Sequence, residues 1–129
     1  MARSPSSQPT EVELQILRVL WDRMSATARQ IHDGLAADRD TNYSTTVKML
    51  SVMLEKGLIR RDDSVRPQVF RAVLTQVKAQ RSMLRELVQR VYDGSTGSLV
   101  LQALSSARAS TEEIAQIRKL LDDLEGDAK

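Results

Sequence analysis

The stretch Asn42-Tyr-Ser-Thr-Thr-Val-Lys-Met-Leu-Ser-Val-Met-Leu-Glu-Lys-Gly57 has the pattern of an amphipathic helix that ends at a glycine. Residues of one face recur at spacings of three and four and would pack on a core: Thr46, Met49, Leu50, Met53 and Leu54. The opposite face carries Ser44, Thr45, Lys48 and Ser51. Short hydroxyls and a lysine on an outer face favour insertion into the major groove of DNA. A solvated polar face is the more common interpretation of such a helix alone, so the neighbouring segments decide.

Two helices are predicted before this stretch, each opened by a capping box. Thr10 with Glu13, and Thr27 with Gln30, have the Ser/Thr-x-x-Glu/Gln spacing in which two side chains satisfy backbone N–H groups at a helix start. The second helix would end in the polar run 37–42. The apolar stripe of the first helix is Leu14, Leu17, Leu20, Trp21 and Met24, and the inward face of the second is Ala28, Ile31 and Leu35.

After Gly57 the pattern changes to that of two strands, 58–63 and 68–73, joined by a turn at 64–67. Three helices followed by a hairpin predict a winged helix-turn-helix with a two- or three-stranded wing sheet. Arg66 would lie at the tip of the wing, where it could contact phosphate or the minor groove. Arg60, Arg61 and Arg71 could add charge, and surface pairing with neighbouring aspartates is as good an explanation for each wing arginine.

The remaining sequence predicts a helical arm. A helix over 75–92 carries apolar residues seven apart, a break follows at 93–95, and a capping box at Ser110 and Glu113 opens the last helix. Stripes this apolar are hard to bury within one short arm, so we expect pairing with a second chain; folding back on the preceding domain is the alternative. We therefore predict a flexible tail at 1–9, a winged-helix domain at 10–74 and a dimerisation domain at 75–129. The predicted dimer contacts are Leu84, Leu87, Val91, Leu99, Leu101, Leu104, Ile114, Ile117, Leu120, Leu121 and Leu124.

Composition narrows the class of protein. The chain has 129 residues, 41% hydrophobic but only 3% aromatic, which suits helix packing and disfavours an all-β fold. Residues 1–81 hold 13 Lys and Arg against 9 Asp and Glu, whereas residues 82–129 hold 6 against 8, a weak sign of a polyanionic partner for the first part. Without cysteine there are no disulfides or thiolate metal sites. We found no signal-peptide pattern and no apolar run of spanning length, and expect a cytoplasmic protein without membrane insertion.

An enzyme is not predicted. His32-Asp33 resembles part of a metal site, but the chain has one histidine, so we expect His32 to be an ordinary surface residue. Five scattered glycines form no phosphate-binding loop. We predict no catalytic residue, metal or cofactor. The competing class is a protein-interaction adaptor built on a winged helix, which would present apolar or acidic residues on its third helix.

The chain resembles the penicillinase-repressor family of winged-helix transcriptional regulators, the BlaI/MecI type, through residues 10–21, 26–31, 43–57, 69–71, 92–95, 99–104 and 111–121. The resemblance implies a dimeric repressor that occupies palindromic DNA operators until an inducing signal arrives. It places the reading residues at Ser44, Thr45 and Lys48, with Tyr43 near the backbone; with Ser51 and Arg66 these are the predicted DNA-binding set. The resemblance also implies a sensor protease that acts on the dimer arm as a further partner. Antibiotic-responsive members are cleaved at Asn-Phe, whereas this chain has Gln102-Ala103 at the matching place, which argues against induction by cleavage. Copper-responsive members carry a Cys-x-Cys sensor that is absent here.

Overall fold

The computed structural model describes residues 8–35 and 41–127, and within them the protein is mainly helical, as predicted. The element order is that of a winged helix-turn-helix followed by a helical region. The elements are α1 Glu11–Arg23, α2 Ala28–Leu35, α3 Tyr43–Lys56, β1 Ile59–Asp62, β2 Val69–Ala72, α4 Gln76–Val91, α5 Thr96–Ser106 and α6 Thr111–Asp127. Contacts divide the chain into two compact units, Met1–Leu84 and Arg85–Lys129, so that α4 contributes residues to both. The predicted division of function at residue 75 stays a prediction.

Both predicted amino-terminal capping boxes are confirmed. The Thr10 hydroxyl accepts from the Glu13 N–H at 3.2 Å, while Glu13 Oε1 accepts from the Thr10 N–H at 2.9 Å. Thr27 and Gln30 make the same reciprocal pair at the start of α2. The prediction that Met24 continues the apolar stripe of α1 is wrong: Met24 follows the helix end with φ 70° and is 75% exposed. Most of the predicted end of α2 at 37–42 lies outside the described residues, as do residues 1–7 of the predicted tail.

The core of the first unit joins the helices to the hairpin. Phe70 of β2 is 4% exposed, and its backbone exchanges two hydrogen bonds with Ala26, at 2.8 and 3.2 Å. Ala26 thereby forms an isolated β-bridge with Phe70, beside the two-stranded sheet of β1 and β2. The prediction allowed two or three strands, and the structure has two strands and this bridge. The wing is thus anchored to the segment that connects α1 and α2. The buried apolar cluster is Ile16, Leu17, Leu20, Ala26, Ile31, Leu35, Leu50, Met53, Ile59 and Phe70.

Gly57 turns the chain from α3 into the wing. Its φ of 78° is left-handed, a conformation that costs a side-chain-bearing residue about 1–2 kcal/mol. Its N–H donates to the Leu54 carbonyl at 3.1 Å, and the Leu58 N–H donates to the Met53 carbonyl at 3.0 Å, so two carbonyls of the last turn of α3 are satisfied. The predicted helix end is confirmed. Because β1 begins two residues later, the start of the hairpin is fixed directly by the end of α3.

The second unit leaves much of its apolar surface uncovered. α5 begins at a Ser95 cap and α6 at the predicted capping box of Ser110 with Glu113, but neither helix contains a buried residue. Among the predicted dimer contacts Leu99, Ile114 and Ile117 are half-buried. The others are exposed by 41–70%: Leu84, Leu87, Val91, Leu101, Leu104, Leu120, Leu121 and Leu124. In the described part of the chain, no helix is long and apolar enough to cross a bilayer.

Candidate nucleic-acid interface

The two faces of α3 are separated as its sequence predicts. Thr46, Leu50 and Met53 are at most 1% exposed, so one face is locked into the core. The opposite face is open, and the five predicted DNA-binding residues of this helix are all exposed: Tyr43, Ser44, Thr45, Lys48 and Ser51. The sixth, Arg66, is exposed in the hairpin turn, on a different element.

Asn42 organises the hydroxyls at the start of α3. Its Oδ1 accepts the Thr45 N–H at 2.9 Å, which caps the helix, and also the hydroxyls of Thr45 at 2.8 Å and Ser44 at 2.9 Å. Farther along, the Ser51 hydroxyl donates to the Val47 carbonyl at 3.3 Å. A hydroxyl has one proton and two acceptor lone pairs. With their protons engaged within the protein, these three hydroxyls present acceptor oxygens to a partner.

A cation and two rings meet where α2 faces the start of α3. The Arg29 guanidinium carbon lies 4.3 Å from the centroid of the Tyr43 ring, and the His32 ring meets the same ring edge-on at 5.7 Å. His32 Nδ1 lies 2.8 Å from the hydroxyl oxygen of buried Thr46, and the histidine is half-buried. The expectation of an ordinary surface histidine is therefore wrong. Exposed Arg29 adds positive charge beside a helix N-terminus, which itself favours anions.

Arg29 is absent from the predicted DNA-binding set because its partner, Tyr43, is fourteen positions away on another helix. Periodicity identifies the inward residues of α2 but does not say which outward residue lies beside α3. The signal that could have pointed to it was Arg29 itself, an exposed cation three residues before a histidine on the short α2.

The wing presents a mixture of paired and unpaired charge. Arg61 pairs with Asp63 at 3.0 Å, which favours the surface-pair interpretation for that arginine. Arg60 and Arg71 occupy directly opposed positions of the two strands and are both exposed. Like charges at opposed positions destabilise a strand pair, so this face of the hairpin would gain from a bound anion.

The loop of the hairpin is ordered around one carboxylate. The Ser64 hydroxyl and N–H donate to Asp62 Oδ1 at 2.5 and 2.9 Å. These hydrogen bonds, and to a smaller extent the Arg71 charge, hold the pKa of Asp62 below its usual range. Asp62 is thereby committed to the protein, and Arg66 at the exposed turn has no ion pair among the described residues.

Two exposed valines on α3 were also missed. Val47 is 39% exposed and Val52 45% exposed, although both belong to a helix with a well-formed core face. An α-helix turns 100° per residue, so Val47 and Val52 lie on opposite sides of the line that Ser44, Lys48 and Ser51 form along the helix. The sequence pattern assigns them to neither face.

Other kinds of site receive little support. In residues 8–35 and 41–127 no group of three or more metal-binding side chains is brought together. A cavity of about 250 Å³ lies beside Trp21 in the first unit, below the usual size of small-molecule sites. Trp21 is half-buried and its Nε1–H donates to the Leu74 carbonyl at 2.9 Å, as expected of a structural anchor.

Comparison with known proteins gives the family. The penicillinase repressor family matches residues 9–123, which covers most of both units. The methicillin resistance regulatory protein MecI of Mammaliicoccus sciuri is 21% identical over 113 residues, 88% of this chain and 92% of the relative. The penicillinase repressor of Bacillus licheniformis is 22% identical over 116 residues, 90% of this chain and 91% of the relative. The penicillinase repressor of Staphylococcus aureus is 19% identical over 112 residues, 87% and 89% of the two chains. The chain belongs to the penicillinase repressor family, a family of transcriptional repressors.

Proposed function

We propose that this protein is a sequence-specific DNA-binding repressor that acts as a dimer on palindromic operators. The observation that carries the proposal is the outer face of α3, where Ser44, Thr45, Lys48 and Ser51 are exposed while the opposite face is held in the core. Hydroxyls and a lysine on the recognition helix of a winged helix-turn-helix complement base edges in the major groove. The adaptor alternative called for exposed apolar or acidic residues here; Val47 and Val52 are exposed on either side, but the line between them is made of hydroxyls and Lys48.

Positive groups around this face would hold the DNA backbone. Arg29 lies against Tyr43 at the start of α3, and Arg66 is exposed at the wing. Arg60 and Arg71, opposed across the hairpin, would relieve their mutual repulsion on phosphate. Contacts of this kind fix the orientation of a protein on the duplex and supply affinity without reading the sequence.

The uncovered leucines of α6 support dimerisation through the arm. Leu120, Leu121 and Leu124 are each more than half exposed on one helix, and a contiguous exposed apolar stripe indicates an interaction surface. A symmetric dimer would place two copies of α3 in successive major grooves, about 34 Å apart, and block transcription by occupancy. The proposal involves no catalysis or cofactor, and its DNA target implies a cytoplasmic protein.

A sensor protease is not needed for this mechanism. Gln102 and Ala103, which stand where related repressors are cleaved, are exposed within α5. The proposal leaves the inducing signal open and requires only that the signal separates the dimer from its operator.

Selection from a random duplex library at low ionic strength tests the proposal. We expect enrichment of one palindromic sequence, whose logarithmic affinity falls linearly with the logarithm of the salt concentration. Failure to enrich any duplex would overturn DNA reading and favour the adaptor. Enrichment of a single half-site without its symmetric copy would overturn the proposal that a dimer binds a palindromic operator.

A further inference from the structure

Val47 is an exposed apolar residue at one edge of the polar face of α3. It is 39% exposed and lies in the second turn of α3, three residues after Ser44 and four before Ser51. Residues at these spacings are neighbours on a helix surface, so the valine methyl groups lie beside two hydroxyls. Next to it in sequence is the exposed ammonium group of Lys48.

The hydroxyl groups beside Val47 already donate their protons in hydrogen bonds within the protein. The Ser44 hydroxyl donates to Asn42 Oδ1, and the Ser51 hydroxyl donates to the carbonyl of Val47 itself. What this part of α3 offers a partner is therefore an apolar group flanked by hydrogen-bond acceptors. A complementary surface has an apolar group beside a hydrogen-bond donor.

Of the base pairs in the major groove, A·T has that combination. Thymine presents its C5-methyl group, and adenine presents the N6 amino donor on the same edge. G·C also presents one amino donor and two acceptors but has no methyl group, so the methyl group is what distinguishes A·T for an apolar side chain.

We infer that Val47 determines specificity by contacting the C5-methyl group of a thymine in each operator half-site. The inference rests on the proposed function and adds to it one base pair and the residue that reads it. The binding free energy of this contact comes from removing methyl surface from water. It is about 0.8 kcal/mol per methyl group, which corresponds to about 4-fold in affinity per half-site.

Val52 provides a matched control on the same helix. It is 45% exposed, slightly more than Val47, but five residues later, about 140° around the axis. Its end of the helix also carries exposed Glu55, whose carboxylate would be repelled by phosphate. Val52→Ala removes the same number of methyl groups from the other side of the line formed by Ser44, Lys48 and Ser51. It therefore tests whether the deoxyuridine effect belongs to Val47 in particular and not to any exposed valine of α3.

The test uses the duplex selected with the unmodified full chain. Symmetric thymine pairs are replaced one pair at a time by deoxyuridine, which keeps base pairing and lacks only the methyl group. Affinities are measured at constant salt by fluorescence anisotropy for the wild type, Val47→Ala and Val52→Ala. We expect one thymine position whose replacement weakens wild-type binding by about 15-fold over two half-sites.

The two variants test whether Val47 makes the contact with the thymine methyl group. Val47→Ala is expected to bind the parent duplex more weakly and to lose most of the deoxyuridine effect at that position, whereas Val52→Ala keeps it. If every thymine tolerates deoxyuridine, or if Val47→Ala keeps the full effect, the inference is overturned while DNA binding stands. If no duplex is selected, the proposed function fails and the inference fails with it. Both valines are exposed, and matching thermal melting curves of the variants would confirm their folding.

Discussion

Lys56 Nζ lies 2.7 Å from Glu13 Oε1 and joins the end of α3 to the first turn of α1. The two side chains are only 18% and 7% exposed. The same carboxylate oxygen accepts the Thr10 N–H at 2.9 Å, so Glu13 caps α1 and holds α3 at once. This ion pair joins residues forty-three positions apart and adds a polar contact to the apolar packing that holds α3 in the first unit.

Glu13→Gln is expected to lower the free energy of unfolding at pH 7 by about 1–3 kcal/mol, since it leaves a largely buried ammonium without its counter-charge. Burial acts to raise the pKa of Glu13, but hydrogen bonds from Lys56 and Thr10 and the Lys56 charge outweigh it, so the pKa lies below its ordinary 4.5. A lowered folded pKa stabilises the protein above the unfolded pKa, and this stability is lost as the pH falls through the folded value. Urea unfolding at several pH values should show the free energies of unfolding of the wild type and the variant converging in acid.

The control is Glu11→Gln, at an exposed position of the same turn. An equal difference at all pH values would contradict the assignment.

Lys48→Ala is expected to weaken binding to the selected operator by about 10- to 100-fold, the range of one good base contact, and to affect a scrambled duplex less. Lys48 is exposed on α3 with no salt bridge among the described residues. Gel-shift titration of both duplexes measures the difference. Lys78→Ala, an exposed lysine in the first turn of α4, is the control for loss of charge alone. Equal weakening on operator and scrambled DNA would make Lys48 a phosphate contact.

Arg66→Ala and Arg29→Ala are expected to weaken binding to all duplexes alike. Each should reduce the slope of logarithmic affinity against logarithmic salt by about 0.9 per phosphate contact, or about 1.8 per dimer. Arg61→Ala is the control, because Arg61 is already paired with Asp63 at 3.0 Å. Binding isotherms at four salt concentrations give the slopes, and an unchanged slope would exclude the residue from the backbone contacts.

Replacing both Leu120 and Leu121 with Asp is expected to give a monomer and to cost at least about 100-fold in operator affinity, because linked half-sites bind far better than separate ones. Both leucines are more than half exposed on α6. Light scattering after size exclusion measures the mass. Lys119→Asp, on the opposite side of the helix, should leave the dimer intact. If the double variant is still a dimer, this face of α6 is not part of the dimer interface.

Gly57→Ala is expected to destabilise the protein by about 1–2 kcal/mol, because its φ is 78°. A Cβ at this position would meet no atom within 4 Å, so the cost is conformational rather than steric. Gly126→Ala, where a Cβ also meets nothing and α6 is regular, should be neutral or stabilising. Chemical denaturation of both variants separates backbone strain from a general effect of alanine.

Local signals in the sequence predicted local structure well. The pair Thr10 and Glu13 and the left-handed Gly57 are confirmed, because capping depends on residues a few positions apart. Contacts between distant segments were not predictable in this way. Lys56 has the appearance of an ordinary last-turn lysine until α1 is placed beside it, and His32 was misjudged because Thr46 is fourteen residues away. Met24 was misplaced because periodicity continued past the point where the helix ends. The DNA-binding and dimer residues stay predictions for the experiments above.

The division of α3 into a core face and an open face has a consequence for the diversification of such regulators. Thr46, Leu50 and Met53 are buried in the core, whereas Ser44, Val47, Lys48 and Ser51 are exposed. Randomising those four codons should yield many well-folded variants with altered target preference. Duplicated copies of the gene could thus acquire orthogonal regulatory circuits without rebuilding the scaffold, and the same four codons are the natural starting library for engineering them.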